Sequence, residues 1–529
     1  MRSRFTRRAL IISWLFILGA ALLILRLYFV QIVHGSDYER DAMGQYAQPS
    51  EDAGHRGSIF FKRKDGGLVA AAVTQAGWKI ALQPKLLEDP NAVYEKLNAV
   101  VPIDKEKFFT SAAKEDDPYE EVAFRVPDSA AGEVRALKIP GVILVQDRWR
   151  MYPGGTLASQ AIGFVGFQGN KKVGVYGLER YFEDMLSRTS SGLYVNPFAE
   201  IFTSVETLLA RDPRSEEGDI ITSIEPSVEQ NVESVLETFQ KTYGSKLVGG
   251  IVMDSRTGEI VAMAARPDFN PNTYNTVEKT SVFENPNVQS RYEMGSIMKP
   301  LTIAAGIDTG AITPKTTYDD KGFVIRSGRK ISNFDGKGRG VVPMQEVLNQ
   351  SLNTGAVFAE EKMGRDAFSK YMHDFGLGEE TGIDLPNEIA GNIRAIENGV
   401  DVDYASASFG QGIATTPIEM IRALGALAND GKLAEPHVVT AVRYESGIVR
   451  NVTPLPQERV LKPETVETMA TMLTEVYDKA LLGGELKQEH YSIAAKTGTA
   501  QIGMEGGGGY YEDRYFHSFF GYFPSHDPK

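Results

Sequence analysis

What most restricts the folds open to this chain is the order of three short motifs in its second half. Ser296-Ile297-Met298-Lys299 comes first, then Ser351-Leu352-Asn353, then Lys496-Thr497-Gly498-Thr499. Any one of them arises by chance in a chain of this length; their order, separation and flanking residues do not. The first motif calls for a helix, on which positions i and i+3 share a face, so that Lys299 can hold its amine against the Ser296 hydroxyl. Pro300 has no N–H to give the carbonyl four residues back, so the helix is expected to start at about Ser296. That places a candidate nucleophile at the positive end of the helix dipole, beside backbone N–H groups that can stabilise an oxyanion. A free lysine, with a pKa of ~10.4, is a poor base at neutral pH and needs desolvation or a neighbouring cation. Lys496 could be that cation. The third motif calls for a strand, in which Thr497 and Thr499 project to one face where two hydroxyls can hold a carboxylate. Gly498 between them leaves room for a peptide to lie alongside.

Other segments give local structure. Gly249–Asp254 and Thr257–Met263 read as two strands around a Thr-Gly turn, and Phe409-Gly410-Gln411-Gly412-Ile413 as a Gly-rich loop before a helix opened by Pro417. Arg211–Glu217 is charged and turn-prone, a linker. After it Asp219–Ile224 reads as a strand, and Pro226 opens a helical pattern through Val232, Val235, Leu236 and Phe239. Phe61-Lys62-Arg63-Lys64-Asp65-Gly66 reads as a hairpin with a solvated basic turn. The run Glu505–Gly509 lacks the Gly-Lys-Ser/Thr of a phosphate loop and reads as a flexible hairpin tip.

The chain of 529 residues is long enough for two or more domains. A net charge of −13 without a Lys/Arg stripe argues against a nucleic-acid partner. There is no cysteine, which excludes disulfides and thiolate metal sites, and the seven histidines form no i,i+3 or i,i+4 pair, which disfavours a His-based zinc site. At the N-terminus Arg2, Arg4, Arg7 and Arg8 precede an uncharged stretch from Ala9 to Leu25 whose apolar character continues, apart from Arg26, to Val33. At ~1.5 Å per residue it crosses a ~30 Å hydrocarbon core, and the arginines keep the N-terminus inside. We read a signal anchor; a cleaved signal peptide ending near Val33-His34-Gly35 is the alternative.

Taken together, these segments resemble the class B penicillin-binding proteins, monofunctional peptidoglycan D,D-transpeptidases, from about Arg2 to the last residue. The resemblance rests on the three motifs in context: Tyr292-Glu293-Met294-Gly295 before Ser296, Asn349-Gln350 before Ser351, Thr354-Gly355-Ala356 after Asn353, and Ala500-Gln501 after Thr499. The Gly249–Met263 hairpin with Arg266-Pro267-Asp268-Phe269-Asn270-Pro271 and the Phe409–Pro417 segment add to it. Arg56-Gly57-Ser58-Ile59, Tyr152-Pro153-Gly154-Gly155 and Gly177-Leu178-Glu179 resemble the short motifs of the family's pedestal. Phe61–Gly66 stands where the family has an Asp-Arg-Asn-Gly-type turn.

The resemblance implies an α+β fold: an N-terminal transmembrane helix, a mixed α/β pedestal of the dimerisation type, and a transpeptidase domain with a central antiparallel sheet flanked by helices. The implied limits are 1–8 for a cytoplasmic tail, 9–30 for the membrane anchor, 31–215 for the pedestal and 216–529 for the transpeptidase domain. It implies that Ser296 attacks the D-Ala-D-Ala bond of a stem peptide and that Lys299 takes its proton. Ser351, bridging toward Lys496, would pass a proton to the leaving amine, with Asn353 orienting Lys299 and the donor's amide. The N–H groups of Ser296 and Thr499 would hold the oxyanion; Thr497, Gly498 and Thr499 would bind substrate. No metal or organic cofactor is implied. The implied partners are peptidoglycan stem peptides, β-lactams, the cytoplasmic membrane, a glycosyltransferase and other membrane proteins of wall synthesis; nucleic acid is not among them. The compact pedestal favours a division-type enzyme, single-pass, with its catalytic domain outside the cytoplasm. A serine hydrolase, either β-lactamase or D,D-carboxypeptidase, and a non-catalytic β-lactam or wall-peptide receptor are the alternatives. Ser525–Lys529 resembles the turn into a further strand and C-terminal helix. Their absence would bare the edge of the first strand, at about Leu247–Asp254, and implies a fragment of a longer reading frame that is aggregation-prone and weakly active or inactive.

Overall fold

The computed structural model describes residues 56–169, 171–187, 217–444, 447–453, 456–504, 506 and 509–528. The anchor segment 9–30, the tail before it, most of the 211–217 linker and most of the 505–509 run lie outside these. Among the described residues no helix is long and apolar enough to cross a membrane. The chain divides into two compact units, one formed by residues 74–149 and one by residues 56–73 with 150–528.

In the smaller unit the later part of the strand Leu68–Leu82 pairs antiparallel with Glu120–Val126, Trp78 opposite Val126 and Leu82 opposite Glu120. Three helices cover it, Pro90–Asn98, Lys105–Ala112 and Asp128–Ala136. The first two start where the sequence supplies a cap: Asp89 accepts from the Asn91 and Ala92 amides, Asp104 from that of Lys107. Ile80, Leu82, Leu97, Phe108 and Val126 fill the space between the layers.

In the larger unit Ile59–Lys62 turns back through an exposed basic hairpin onto Leu68–Ala72 and, on its other side, pairs parallel with Gly218–Thr222 through Ile59–Ile220 and Phe60–Ile221. Val439–Tyr444 continues that sheet antiparallel. The strand read as 219–224 is thus Gly218–Thr222, partnered by chain from before residue 73. The three short pedestal motifs converge on one buried ion cluster. Glu179, with 0% exposure, sits between Arg56 Nε and Arg150 Nε, each at 2.6 Å, and accepts from the Tyr152 hydroxyl at 3.2 Å.

The helix read from Pro226 runs to Tyr243, capped by Glu225 at its start and by Gly244 in the left-handed region at its end. Val235 and Phe239 of its apolar stripe are about half exposed, 53% and 50%. The next strands, Val248–Met253 and Ile260–Arg266, form the expected antiparallel hairpin. The central antiparallel sheet is found as two separate ladders, this hairpin and Ala494–Gly503 with Tyr510–Tyr522; no described strand bridges them. The helix Lys299–Asp308 is buried at every position but Ile307, which places it inside the domain. Around it stand Asn353–Met363, Arg365–Asp374, Pro417–Gly425 and Pro463–Glu475, joined through Leu301, Ile303, Leu348, Leu352, Phe368, Phe375, Leu424 and Leu473.

Candidate active site

Ser296 lies in a 3-10 turn, Gly295–Met298, that runs straight into the buried helix. The helix therefore starts three residues later than expected, and Pro300 is the reason. The Lys299 N–H donates to the Ser296 carbonyl in the 3-10 pattern, and Pro300 has no N–H to add the α-helical bond. Lys299 nonetheless reaches back as the i,i+3 spacing required. Its Nζ lies 3.0 Å from Ser296 Oγ, 2.6 Å from the Ser351 carbonyl and 3.1 Å from Ser351 Oγ. Lys496 approaches from the opposite side, its Nζ 3.1 Å from Ser351 Oγ and 2.9 Å from the Thr497 carbonyl. Ser351 thus bridges the two lysines. It holds a left-handed backbone, φ 53°, which a residue with a Cβ adopts at a cost of about 1–2 kcal/mol and which turns both its carbonyl and its hydroxyl toward Lys299.

Both amines are almost out of water, at 0% and 2% exposure. Burial, and after it the positive charge of Lys496, push Lys299 well below the ordinary lysine range. Burial lowers Lys496 to about 8.

Backbone contacts too close for side chains hold the Ser296 turn in place. Gly295 has φ 62° and donates its N–H to the Gly410 carbonyl at 3.0 Å; a Cβ on Gly295 would stand 2.6 Å from the Thr499 carbonyl. Gly410, φ 82°, would put a Cβ 2.2 Å from the Gly295 carbonyl. A Cβ on Gly498 would meet Ser518 Oγ at 2.2 Å and the Met294 carbonyl at 2.8 Å. Packing against the Ser296 turn therefore demands glycine at 498, a requirement that the sequence reading of room for a peptide did not include. Ser518 donates to the Met294 carbonyl at 2.7 Å, and Tyr292 stacks on Phe516 at 4.7 Å. Glu293 accepts from the Gly412 N–H and the Tyr510 hydroxyl, and burial raises its carboxyl. The sequence offered no local signal for any of these contacts beyond the glycines themselves.

Thr497 and Thr499 are exposed on one face of their strand, opposite Phe519 and His517 of the neighbouring strand. Asn353 opens its helix, but its amide does not reach Lys299 as expected; it donates to the Ser332 carbonyl at 2.9 Å. The third contact of Lys299 is instead the Ser351 carbonyl, which the left-handed backbone brings into line.

Residues 248–529 match the penicillin-binding protein transpeptidase domain, and residues 51–197 the penicillin-binding protein dimerisation domain. The chain belongs to the class B penicillin-binding proteins. Among its relatives is the stage V sporulation protein D of Bacillus subtilis, 28% identical over 511 residues, 95% of this chain and 77% of that protein. The peptidoglycan D,D-transpeptidase MrdA of Acinetobacter baumannii is 28% identical over 463 residues, 79% of this chain and 67% of its own. The fold is that of penicillin-binding protein 2X from Streptococcus thermophilus, TM-score 0.72 at 22% identity, covering 90% of this chain and 75% of that one. Penicillin-binding protein 3 from Mycobacterium tuberculosis, crystallised with aztreonam, gives 0.67 at 23% identity, covering 90% and 88%.

Proposed function

We propose that this penicillin-binding protein cross-links peptidoglycan by serine acyl transfer, with Ser296 as nucleophile and Lys299 as base. The supporting observation is the unbroken chain of contacts Ser296, Lys299, Ser351, Lys496 inside a transpeptidase domain. A neutral amine has two hydrogens and one lone pair. At Lys299 the hydrogens go to the Ser351 carbonyl and hydroxyl oxygen, which leaves the lone pair facing the Ser296 hydroxyl. Ser351 Oγ accepts from both lysines, so its own hydrogen is free to leave toward the cleft.

Ser296 Oγ then attacks the carbonyl carbon of the penultimate D-alanine while Lys299 takes the hydroxyl proton. The oxyanion is held by the N–H groups of Ser296 and Thr499, donors typically worth ~3 kcal/mol each. As the C–N bond breaks, Ser351 gives its proton to the departing nitrogen and is reprotonated by Lys299. D-Alanine leaves and an ester on Ser296 remains. The amine of a neighbouring stem attacks that ester, loses its proton to Lys299, and Ser296 recovers its hydrogen. Thr497 and Thr499 bind the donor's terminal carboxylate, with Lys496 supplying positive charge beneath them and Gly498 keeping strand and nucleophile turn in contact. Asn353 lines the cleft toward the donor's amide. A β-lactam follows the same first step and stays attached.

The same reading makes residues 9–30 a membrane anchor after a cytoplasmic tail, 31–215 the pedestal and 216–529 the transpeptidase domain outside the cytoplasm. A division-type role beside a glycosyltransferase and other membrane proteins of wall synthesis goes with it. One experiment tests chemistry and placement together. The full chain should stay with membranes after a high-salt wash, and those membranes, given donor and acceptor stems, should yield cross-linked dimers. Free tetrapeptide as the only product would make it a hydrolase; recovery of the activity in the wash would remove the anchor.

The lysines also set a pH window. Acylation needs Lys299 without its proton and Lys496 with one, so the rate should fall on the alkaline side near the value of about 8 at which Lys496 discharges. Lys496→Arg, which stays charged, should lower the maximum rate but carry the alkaline limb well above that pH. Penicillin acylation rates across pH check this; an unmoved limb in Lys496→Arg would assign it to another group.

A further inference from the structure

Between the helix Lys299–Asp308 and the helix Met344–Asn349 the chain makes two small ladders, Thr317–Asp320 with Gly340–Pro343 and Phe323–Arg326 with Arg329–Ser332. Asp320 at the end of one and Asn333 just beyond the other are buried together, 2% and 3% exposed. The Asp320 carboxylate accepts from the Gly322 and Arg339 amides, from Thr354 Oγ1 at 2.8 Å, and from Asn333 Nδ2, which spans both its oxygens at 3.1 and 3.0 Å. That pins the Asn333 amide in one orientation: its nitrogen is spent on Asp320 and the Lys337 carbonyl, so its oxygen must face the other way. There it accepts from the Thr354 N–H at 3.2 Å, in the first turn of the helix Asn353–Met363. The preceding residue, Ser332, takes the Asn353 side chain on its carbonyl at 2.9 Å.

Ser332 and Asn333 therefore grip the two residues that directly follow Ser351-Leu352. Ser351 is the residue in a strained backbone that must touch both lysines within 3.1 Å. We infer that Asn333, oriented by Asp320, is a positioning residue for acylation: it fixes the start of the helix so that Ser351 stands at working distance from Lys299 and Lys496. Neither residue reaches the nucleophile itself. The inference rests on the role given above to Ser351.

Asn333→Ala, Asp320→Asn and Ser351→Ala, each in the full chain, separate the possibilities. Penicillin acylation is resolved into a binding constant and a first-order rate, and the labelled fraction is counted at saturation. For Asn333→Ala the rate per labelled molecule should fall by about tenfold to a hundredfold, as small misplacements of reacting groups do, while the binding constant is unchanged. A labelled fraction that drops while the rate per labelled molecule stays at the wild-type value overturns the inference, because the pair then serves only folding. Weaker binding with an unchanged rate overturns it too. Should Asn333→Ala leave too little folded protein to count, the same readouts on the nearly isosteric Asp320→Asn decide. A wild-type rate in Ser351→Ala removes the role of Ser351 and this inference with it; a slow Ser351→Ala beside a wild-type Asn333→Ala removes the inference alone.

Discussion

Ser296→Ala is expected to abolish covalent labelling by a fluorescent penicillin while the protein melts at the wild-type temperature. Ser296 is half-buried in its turn, and losing one oxygen there disturbs no core packing. Lys299→Ala should cost about as much, on the order of a thousandfold or more in acylation rate, because groups that move one proton act as a unit and their losses do not add. The double variant should be no slower than either single one. The alanine at 299 leaves a small cavity but also removes an amine from a site with 0% exposure, so the fold should survive. Label retained in Ser296→Ala would move the nucleophile elsewhere; near-normal labelling in Lys299→Ala would move the base.

The other large effect lies away from the cleft. Glu179→Gln should lower stability by about 3–5 kcal/mol, the usual cost of breaking a buried ion pair from one side. It would strand two guanidinium groups, Arg56 and Arg150, whose side chains are only 11% and 6% exposed. Glu183, 2.7 Å from Arg56 Nη2, compensates one of them in part. Burial by itself would raise the Glu179 carboxyl, but the charges and hydrogen bonds of Arg150 and then Arg56 outweigh it and hold the group below the ordinary carboxylate range. A depressed carboxylate contributes its stability above the unfolded value and loses it as pH falls through the folded one. The gap between wild type and Glu179→Gln should therefore be widest at neutral pH and close in acid. Denaturant melts at both pH values check this, and equal stabilities at pH 7 would reduce the cluster to a spectator.

What the sequence made legible was local. The Lys299 reach to Ser296 follows from helix spacing, the shared face of Thr497 and Thr499 from strand alternation, and the start of the helix at Pro226 from an opening proline and a period. The shift of the helix start to Lys299 turned on one missing N–H at Pro300, visible in the sequence but open to either turn type. Three things had no local signature. The backbone of Ser351 is set by what pulls on its carbonyl, not by its neighbours in the chain. The work of Gly498 depends on Met294 and Ser518, and the destination of the Asn353 amide on Ser332, all distant along the chain. Asp320 and Asn333 sit in a stretch of short strands and turns without periodicity or motif, and their partnership exists only once the ladders have formed.

The contact of the nucleophile turn with the Lys-Thr-Gly strand also bears on when this enzyme comes into being. The bond from Ser518 to Met294 closes a separation of 224 residues and that from Lys496 to Ser351 one of 145. Contacts of such range form late, after the shorter loops they enclose. At ~5–20 residues per second a ribosome makes Ser296 roughly ten to forty seconds before Thr499. Through that interval neither the second lysine nor the facing strand exists, so Lys299 lacks part of what depresses its amine. Ser296 thus gains its complete surroundings only once the Lys-Thr-Gly strand has been made.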